Sequence, residues 1–303
     1  MKAPQQVGAG HWCDLAAPAK INTFLHVTGQ REDGMHLLQS IFMLLDWGDY
    51  LDIEVTQHGQ IERIDNSHTG LTLPDNDLCM QAACALQQVT GTRQGARLWL
   101  HKHLPAQAGL GGGSSDAATC LMALNKLWNT GLNQQQLCDI AIKLGADVPF
   151  FVRGQNAFVQ GIGDDITPIK VPSTAIWVVK PNAGVSTPAL FKSAQLTRNT
   201  AAIDLNTLCN LPSDKLWAFG RNDLQAVAQT LCPDIHIACK WLQAQGLSAR
   251  MTGSGSAVFA HCAPNLLIGH TLEPTLPNNW LSHKCRNLAK HPLMDWIWPK
   301  NVR

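Results

Sequence analysis

Alternating apolar and polar residues mark the first strand of the chain. Ile21, Thr23, Leu25 and Val27 occupy one set of positions and Asn22, Phe24 and His26 the other, a period of two. Ala17-Pro18-Ala19-Lys20 leads into this segment from a loose N-terminal stretch. Gly29 to Gly34 is turn-rich, after which Met35 and His36 open an apolar run reaching Leu45. Leu51, Ile53 and Val55 alternate with Asp52 and Glu54 as a second strand. Asp75-Asn76-Asp77 offers capping oxygens for a helix that runs to about Val89 and ends near Gly91. Ala96, Leu98 and Leu100 alternate with Arg97, Trp99 and His101, a strand that runs towards Leu104.

A helical pattern follows from Ser115 to Trp128, with Ala118, Leu121, Met122 and Leu124 turned inward and a stop near Gly131. Asn133 caps the next helix, in which Leu137, Ile140, Ala141 and Leu144 fall at i, i+3, i+4 and i+7. Gly145 is expected to close it as a left-handed residue. Asp147 stands on the short link before Val148-Pro149-Phe150-Phe151-Val152, which reads as a buried strand. Past the Gly161–Asp165 turn, Pro168 and Pro172 break the pattern, and a change of domain is expected near residues 160–170. The second half holds a strand at Ala175–Val179, a loop at Asn182–Thr187, helices at about 222–231 and 233–245, and a strand resuming at Val258. The mildly basic tail from Lys284 reads as solvated structure.

Between the Ala96–Leu104 strand and the Ser115–Trp128 helix lies Pro105-Ala106-Gln107-Ala108-Gly109-Leu110-Gly111-Gly112-Gly113-Ser114-Ser115. A glycine loop that opens a helix presents bare backbone N–H groups at the positive end of the helix dipole, which suits a phosphate. A Walker A loop would need a Lys after its glycines, and none follows. A dinucleotide fingerprint would need Gly where Ser114 stands and an acidic residue about 20 positions on, where the chain reads Trp128-Asn-Thr-Gly-Leu. A third reading, beside a plain flexible turn, is a nucleotide kinase loop of another fold, in which the Ser hydroxyls assist at the phosphates or at Mg²⁺. Ser114, Ser115 and Asp116 are candidates near such a metal, whose ligands the spacing does not rank.

Composition narrows the setting. The 303 residues suit two domains, and a hydrophobic fraction of 45% is enough for a full core. A net charge of +1 with both signs dispersed gives no basic field for nucleic acid or an anionic membrane. No apolar run approaches a membrane span and the first 20 residues lack a signal-peptide core, so a soluble, cytoplasmic protein is expected; the sequence does not decide between monomer and homodimer. The ten cysteines form no C-x-x-C pair and mostly sit among Ala, Leu and Ile, as reduced core thiols would.

Three segments together carry a family resemblance. Pro105 to Ala118 resembles the ATP loop of the GHMP superfamily of galacto-, homoserine, mevalonate and phosphomevalonate kinases. Pro18-Ala19-Lys20-Ile21-Asn22 resembles its first motif, and Met251-Thr252-Gly253-Ser254-Gly255-Ser256-Ala257 its third. Ala19 to Leu25, Arg31-Glu32-Asp33-Gly34-Met35-His36, Leu144 to Phe151 and the tail piece His291-Pro292-Leu293 are similar to the 4-diphosphocytidyl-2-C-methyl-D-erythritol kinase family within it.

That resemblance implies an α+β fold of two domains, with a ribosomal S5 domain 2-like N-terminal domain, a ferredoxin-like C-terminal domain and the active site in the cleft between them. The expected division is 1–164 for the ATP-binding domain and 165–303 for the second, with the tail from about 284 packing back on the first. It further implies an ATP-dependent kinase, with Mg²⁺, acting on the small-molecule substrate diphosphocytidyl methylerythritol in the non-mevalonate (MEP) route to isoprenoids. The catalytic pair falls on Lys20 and Asp147, with Asp147 as base and Lys20 as its electrostatic partner. Substrate positions fall on Asn22, Met35, His36, Thr187 and Phe191, and the third motif on Gly253, Ser254 and Gly255. Alternatives are a homoserine or mevalonate type of kinase, or a non-catalytic ligand-binding relative. Two departures stand out. Met35 replaces the usual Tyr that stacks on the cytosine, and Ala106-Gln107-Ala108 replaces a Met-Gly-Gly or Met-Gly-Ala stretch, which is expected to stiffen the loop.

Overall fold

The computed structural model describes residues 1–64, 73–262 and 276–299. In the first half, β1 (Gln5–Gly8), β2 (His11–Gln30), β3 (His36–Thr56), β4 (Ile61–Ile64), β5 (Gly95–His101), β6 (Ala157–Gln160) and β7 (Asp165–Pro168) form one seven-stranded sheet. Its path is β1-β2-β3-β5-β4, and β3 shares its far edge between β5 and the β6–β7 pair. All pairings are antiparallel except β4 with β5. Because β7 pairs with β6, this sheet runs past residue 164 to Pro168.

Helices α1 (Leu78–Thr90), α2 (Gly112–Leu127), α3 (Gln134–Leu144) and α4 (Val148–Arg153) cover one face. The local capping signals hold. Asp77 accepts from the Cys79 and Met80 amides, Gly91 closes α1 in the left-handed region, and Asn133 with Gln136 forms a capping box. Every residue of α2 from Ser115 to Asn125 is buried, as an apolar helix laid through a core must be.

Three expectations are corrected. Val148–Val152 is helix α4, not a strand. Its apolar run is too short for periodicity to decide, and Pro149 in the first turn with a left-handed Gly154 at the end favours a helix. Gly145 ends α3 with an extended backbone (φ 171°) rather than a left-handed one. The tail is not solvated, since His291 and Leu293 are fully buried.

The second sheet is antiparallel, with order β11 (Leu281–Arg286), β8 (Ala175–Lys180), β10 (Val258–Cys262), β9 (Ala249–Met251). In chain order this is 4-1-3-2, the ferredoxin-like arrangement. Short helices α5 (Thr187–Lys192), α6 (Leu205–Cys209) and α7 (Ser213–Ala218) follow β8. Helices α8 (Gln225–Leu231) and α9 (Pro233–Ala244) lay Val227, Ala228, Ile235 and Leu242 on the sheet. Among the described residues no helix is long and apolar enough to cross a membrane.

Strand β2 joins these layers. Leu15 and Ala17 enter the core beneath the first-half helices, and Ala19 and Ile21 pack with Ile176 and Val178 of the second sheet. Phe24 packs with Ile41 and Phe158, and Leu25 and Val27 with the α8–α9 core. The simple alternation expected for β2 therefore becomes burial on both faces. The tail then crosses back. The Leu288 amide donates to the Leu44 carbonyl and His291 to the Gly154 carbonyl, before α10 (Met294–Ile297) adds Ile297 to the first core.

His291 is the pin of this return. Burial pushes its imidazole down to about 3, so it is neutral, and Nδ1 accepts from the Leu293 amide at 3.2 Å. The unfolded chain takes up a proton near pH 6.5 that folded His291 refuses. Its contribution is therefore complete above about pH 6.5 and is lost as pH falls from there towards 3, at up to about 1.4 kcal/mol per pH unit. Thermal melts between pH 7.5 and 5 should show this decline, and His291→Asn should be less stable at pH 7.5 but give a shallower slope. Parallel slopes would remove His291 as the cause.

Candidate active site

The pairing of β2 with β3 is broken by irregularities between Pro18 and Lys20 and between Asn22 and Leu25. Such bulges re-aim side chains. Between them, Lys20 and Asn22 sit two residues apart and point to the same side. The Lys20 ammonium is 5% exposed. It donates to Asn22 Oδ1 at 2.7 Å, lies 4.3 Å from the centre of the Phe42 ring and faces Asp147 Oδ2 at 3.2 Å. Asn22 is fixed in turn, as its amide nitrogen Nδ2 donates to Ser40 Oγ at 2.9 Å.

An Asp directly before a helix ordinarily caps it. Asp147 precedes α4 but makes no capping bond, so its carboxylate is left to face Lys20. Its side chain is 31% exposed, far more open than its partner.

The glycine loop packs against this pair. The Lys20 amide donates to the Leu110 carbonyl at 2.9 Å. Gly111 is left-handed (φ +73°) as the residue before α2, and a Cβ there would meet the Phe151 ring at 2.9 Å and Lys20 Cγ at 3.0 Å. Gly109 has the same φ, and a Cβ there would lie 2.3 Å from the Thr252 carbonyl oxygen. The first-turn amides of α2 that follow suit an anion. Ser115 is different. It is fully buried, its amide donates to the Gly111 carbonyl, and its hydroxyl has no partner.

The third motif is stitched to the same loop. The Ser256 and Ala257 amides donate to the Gln107 and Ala108 carbonyls at 3.2 and 3.1 Å. Gln107 is itself left-handed (φ +50°), a conformation in which a glycine would be free of strain. Asn222 Nδ2 donates to the carbonyls of Met251 and Gly253, both at 2.8 Å, and the Asn22 amide donates to Thr252 Oγ1 at 3.0 Å. Thr187 donates to Ser254 at 2.7 Å, which brings an expected substrate position onto the third motif.

Beneath the start of α2 lies a buried charge cluster. Lys102 Nζ donates to Asp116 Oδ2 at 2.6 Å and to Asp49 Oδ2, while Asp49 Oδ1 accepts from the His103 and Leu104 amides at 2.6 and 2.8 Å. Burial and then the Asp49 charge push the Asp116 carboxyl upward, against the pull of Lys102. Burial pulls Lys102 down, but the two carboxylates outweigh it and raise it overall. Asp116 Oδ1 is buried without a partner.

Two cavities adjoin one another here, and Lys20 and Asp147 line the smaller. The larger, about 840 Å³, is lined by the whole run Pro105–Ser114 together with Asn76, Leu78 and Lys102. The smaller, about 150 Å³, is lined by Lys20, Asn22, Asp147, Phe191, Gly253 and others. Gly109, Gly111, Thr187 and Ser254 belong to both walls. Gly255 joins the larger cavity. Met35 and His36 line neither cavity. Met35 is exposed on its turn, while His36 lies 4.8 Å from the Phe191 ring, centre to centre. Among the described residues no group of three metal-ligating side chains occurs.

Sequence reasoning missed several residues. Thr252 and Asn222 hold the third motif, Ser40 and Phe42 flank Lys20, and Lys102 with Asp49 underlies α2. Arg198, in a stretch without pattern, donates from Nε to His36 Nε2 at 3.0 Å and from its other nitrogens to the carbonyls of Phe191, Ser193 and Leu196. Only Thr252 carried a signal, as the first polar residue before the second glycine run.

Known proteins resemble the chain throughout its length. Residues 77–155 match the GHMP kinases N terminal domain and residues 210–266 the GHMP kinases C terminal domain. A 4-diphosphocytidyl-2-C-methyl-D-erythritol kinase of Polaromonas sp. is 48% identical, over 97% of this chain and 98% of its own length. That of Paracidovorax citrulli is 51% identical, over 93% and 96%. A crystal structure of 4-(cytidine 5'-diphospho)-2C-methyl-D-erythritol kinase superposes with a TM-score of 0.72 at 30% identity, covering 89% of this chain and 98% of that one. The homoserine kinase of Cytophaga hutchinsonii, with a TM-score of 0.70 at 15% identity over 95% and 97%, shares the fold.

Gly109 gives a direct test of the join between the two glycine loops. Gly109→Ala should lower stability by more than about 1–2 kcal/mol, the cost of a left-handed non-glycine residue alone, because the new methyl also meets the Thr252 carbonyl. Urea unfolding measures this. A midpoint equal to wild type would show that the loops are not held this close.

Proposed function

The chain belongs to the 4-diphosphocytidyl-2-C-methyl-D-erythritol kinase family of the GHMP kinases, and from that membership we propose its reaction and the residues that perform it. It transfers the γ-phosphoryl group of ATP to the 2-hydroxyl of 4-diphosphocytidyl-2-C-methyl-D-erythritol, a step of the MEP route to isoprenoid precursors. The observation that carries this reading is the Lys20–Asp147 pair in the wall of a small cavity, with Phe191, that shares Gly109, Gly111, Thr187 and Ser254 with a large cavity walled by the glycine loop.

Phosphoryl transfer asks a protein mainly to position groups and stabilise charge. The amides at the start of α2 hold the phosphates of ATP in the larger cavity. Asp147 accepts the proton of the attacking hydroxyl. Lys20, clamped by Asn22 and the Phe42 ring, keeps the carboxylate in place and steadies the oxygen as charge develops on it. Thr187 and Ser254 close the passage between the cavities, and Phe191 with His36 receives the cytosine.

The residues present fit a Mg²⁺ that arrives with the triphosphate. Such a cation is held by one or two carboxylates and by substrate phosphates, and Asp116 Oδ1 is buried without a partner beside the α2 start. Asp116 with the Ser114 hydroxyl would hold it, and it would neutralise phosphate charge there.

Three measurements check the reading. Purified protein should form ADP with diphosphocytidyl methylerythritol and not with mevalonate or homoserine. ADP with none of them would end the kinase reading, and ADP with either of the other two alone would end the substrate assignment. Asp147→Asn should lower kcat by at least about 10²-fold, the contribution of a positioned base, with nucleotide binding unchanged. Near-wild-type turnover would remove Asp147 as the base. Met35→Tyr should lower KM for the cytidyl substrate, since aromatic stacking, at about 1–3 kcal/mol per base, exceeds a thioether contact of about 0.3–1.5 kcal/mol. An unchanged KM would place Met35 away from the base.

A further inference from the structure

We propose that Arg198 is a positioning residue that sets the tautomer of His36 and fixes the Phe191 ring beside it. A guanidinium has five N–H donors and no acceptor. When Arg198 Nε–H donates to His36 Nε2 at 3.0 Å, that ring nitrogen must be bare. His36 then carries its proton on Nδ1. Burial lowers the His36 imidazole, and the neighbouring guanidinium lowers it further, in keeping with a neutral ring. Among the described residues Nδ1 takes no hydrogen bond, so its N–H is left as a donor.

The same guanidinium holds the aromatic surface. Its Nη2 donates to the Phe191 carbonyl at 2.7 Å and to the Ser193 carbonyl at 2.9 Å, and its Nη1 to the Leu196 carbonyl at 3.1 Å. These bonds close the end of α5, the helix that carries Phe191. The His36 and Phe191 rings lie 4.8 Å apart with 35° between their planes. One side chain therefore fixes both an N–H donor and a flat apolar surface. That pair suits a heterocycle with a lone-pair acceptor on its edge, which cytosine has at N3 and O2. Lys at this position could donate from a single ammonium nitrogen but could not reproduce the planar fork.

The substrate arm of the test rests on the function proposed above, whereas the spectroscopic arm does not. Two-bond ¹H–¹⁵N spectra of the ligand-free protein, with His36 assigned by its loss in His36→Asn, should show protonated Nδ1 and bare Nε2. In Arg198→Met the ring should move towards the Nε2–H form, and Arg198→Lys should restore the Nδ1–H form in part. KM for diphosphocytidyl methylerythritol should rise about tenfold or more in Arg198→Met, the size of a lost hydrogen bond to a charged group, with kcat and KM for ATP within about twofold of wild type. A wild-type Nε2–H signal would overturn the proposal even if Arg198→Met failed to fold. So would a KM that rises while the spectrum stays unchanged, or a spectrum that shifts while KM does not. Lack of wild-type turnover would overturn the substrate assignment and leave the tautomer to the spectrum.

Discussion

A buried ammonium must be matched, and the Lys20 ammonium organises the centre of this molecule. It emerges from a strand covered on both faces, where an unpaired charge would be costly. Its partners come from separate elements. Asn22 is its neighbour on β2, Phe42 lies on β3, and Asp147 stands at the α3–α4 link. The Gly111 turn closes over its stem, where a side chain would collide. Satisfying the charge holds these elements together, and the residues that do so line the smaller cavity.

The asymmetry of the pair matters for chemistry. Lys20 is nearly sealed, while Asp147 keeps about a third of its side chain open to the smaller cavity. The cation is thus held by protein and the carboxylate is available to a ligand. A second charged cluster, Lys102 with Asp49 and Asp116, sits under the start of α2. Lys102 bonds a carboxylate oxygen of each Asp, and Asp116 Oδ1 stays without a partner.

Local signals were legible and distant ones were not. Asp77, Gly91 and Asn133 could be read because capping involves residues two to four positions apart. Lys20, Asn22, Asp147 and the glycine run were found through motif order, and the structure brings them to one place. Val148–Val152 was misread because a short apolar run has no period. The alternation at Ile21–Val27 marked a strand, but not that bulges and a second sheet bury both of its faces. Arg198 reaches His36 across 162 positions, Asn222 reaches Met251 and Gly253 across 29 and 31, and Asp49 reaches the His103 amide across 54, and no local pattern announces such partners. Met35 and His36, though adjacent to the site in motif, stand outside the walls of both cavities.

The return of the tail has a consequence for biosynthesis. Leu293 and Ile297 complete a core otherwise built from residues before 170, and Leu288 and His291 bond back to Leu44 and Gly154. A nascent chain therefore cannot seal this first core until residues 288–297 have left the ribosome. Until then the faces of α2 and β3 that receive this segment stay wet, and residues before 170 wait on residues made more than 100 positions later.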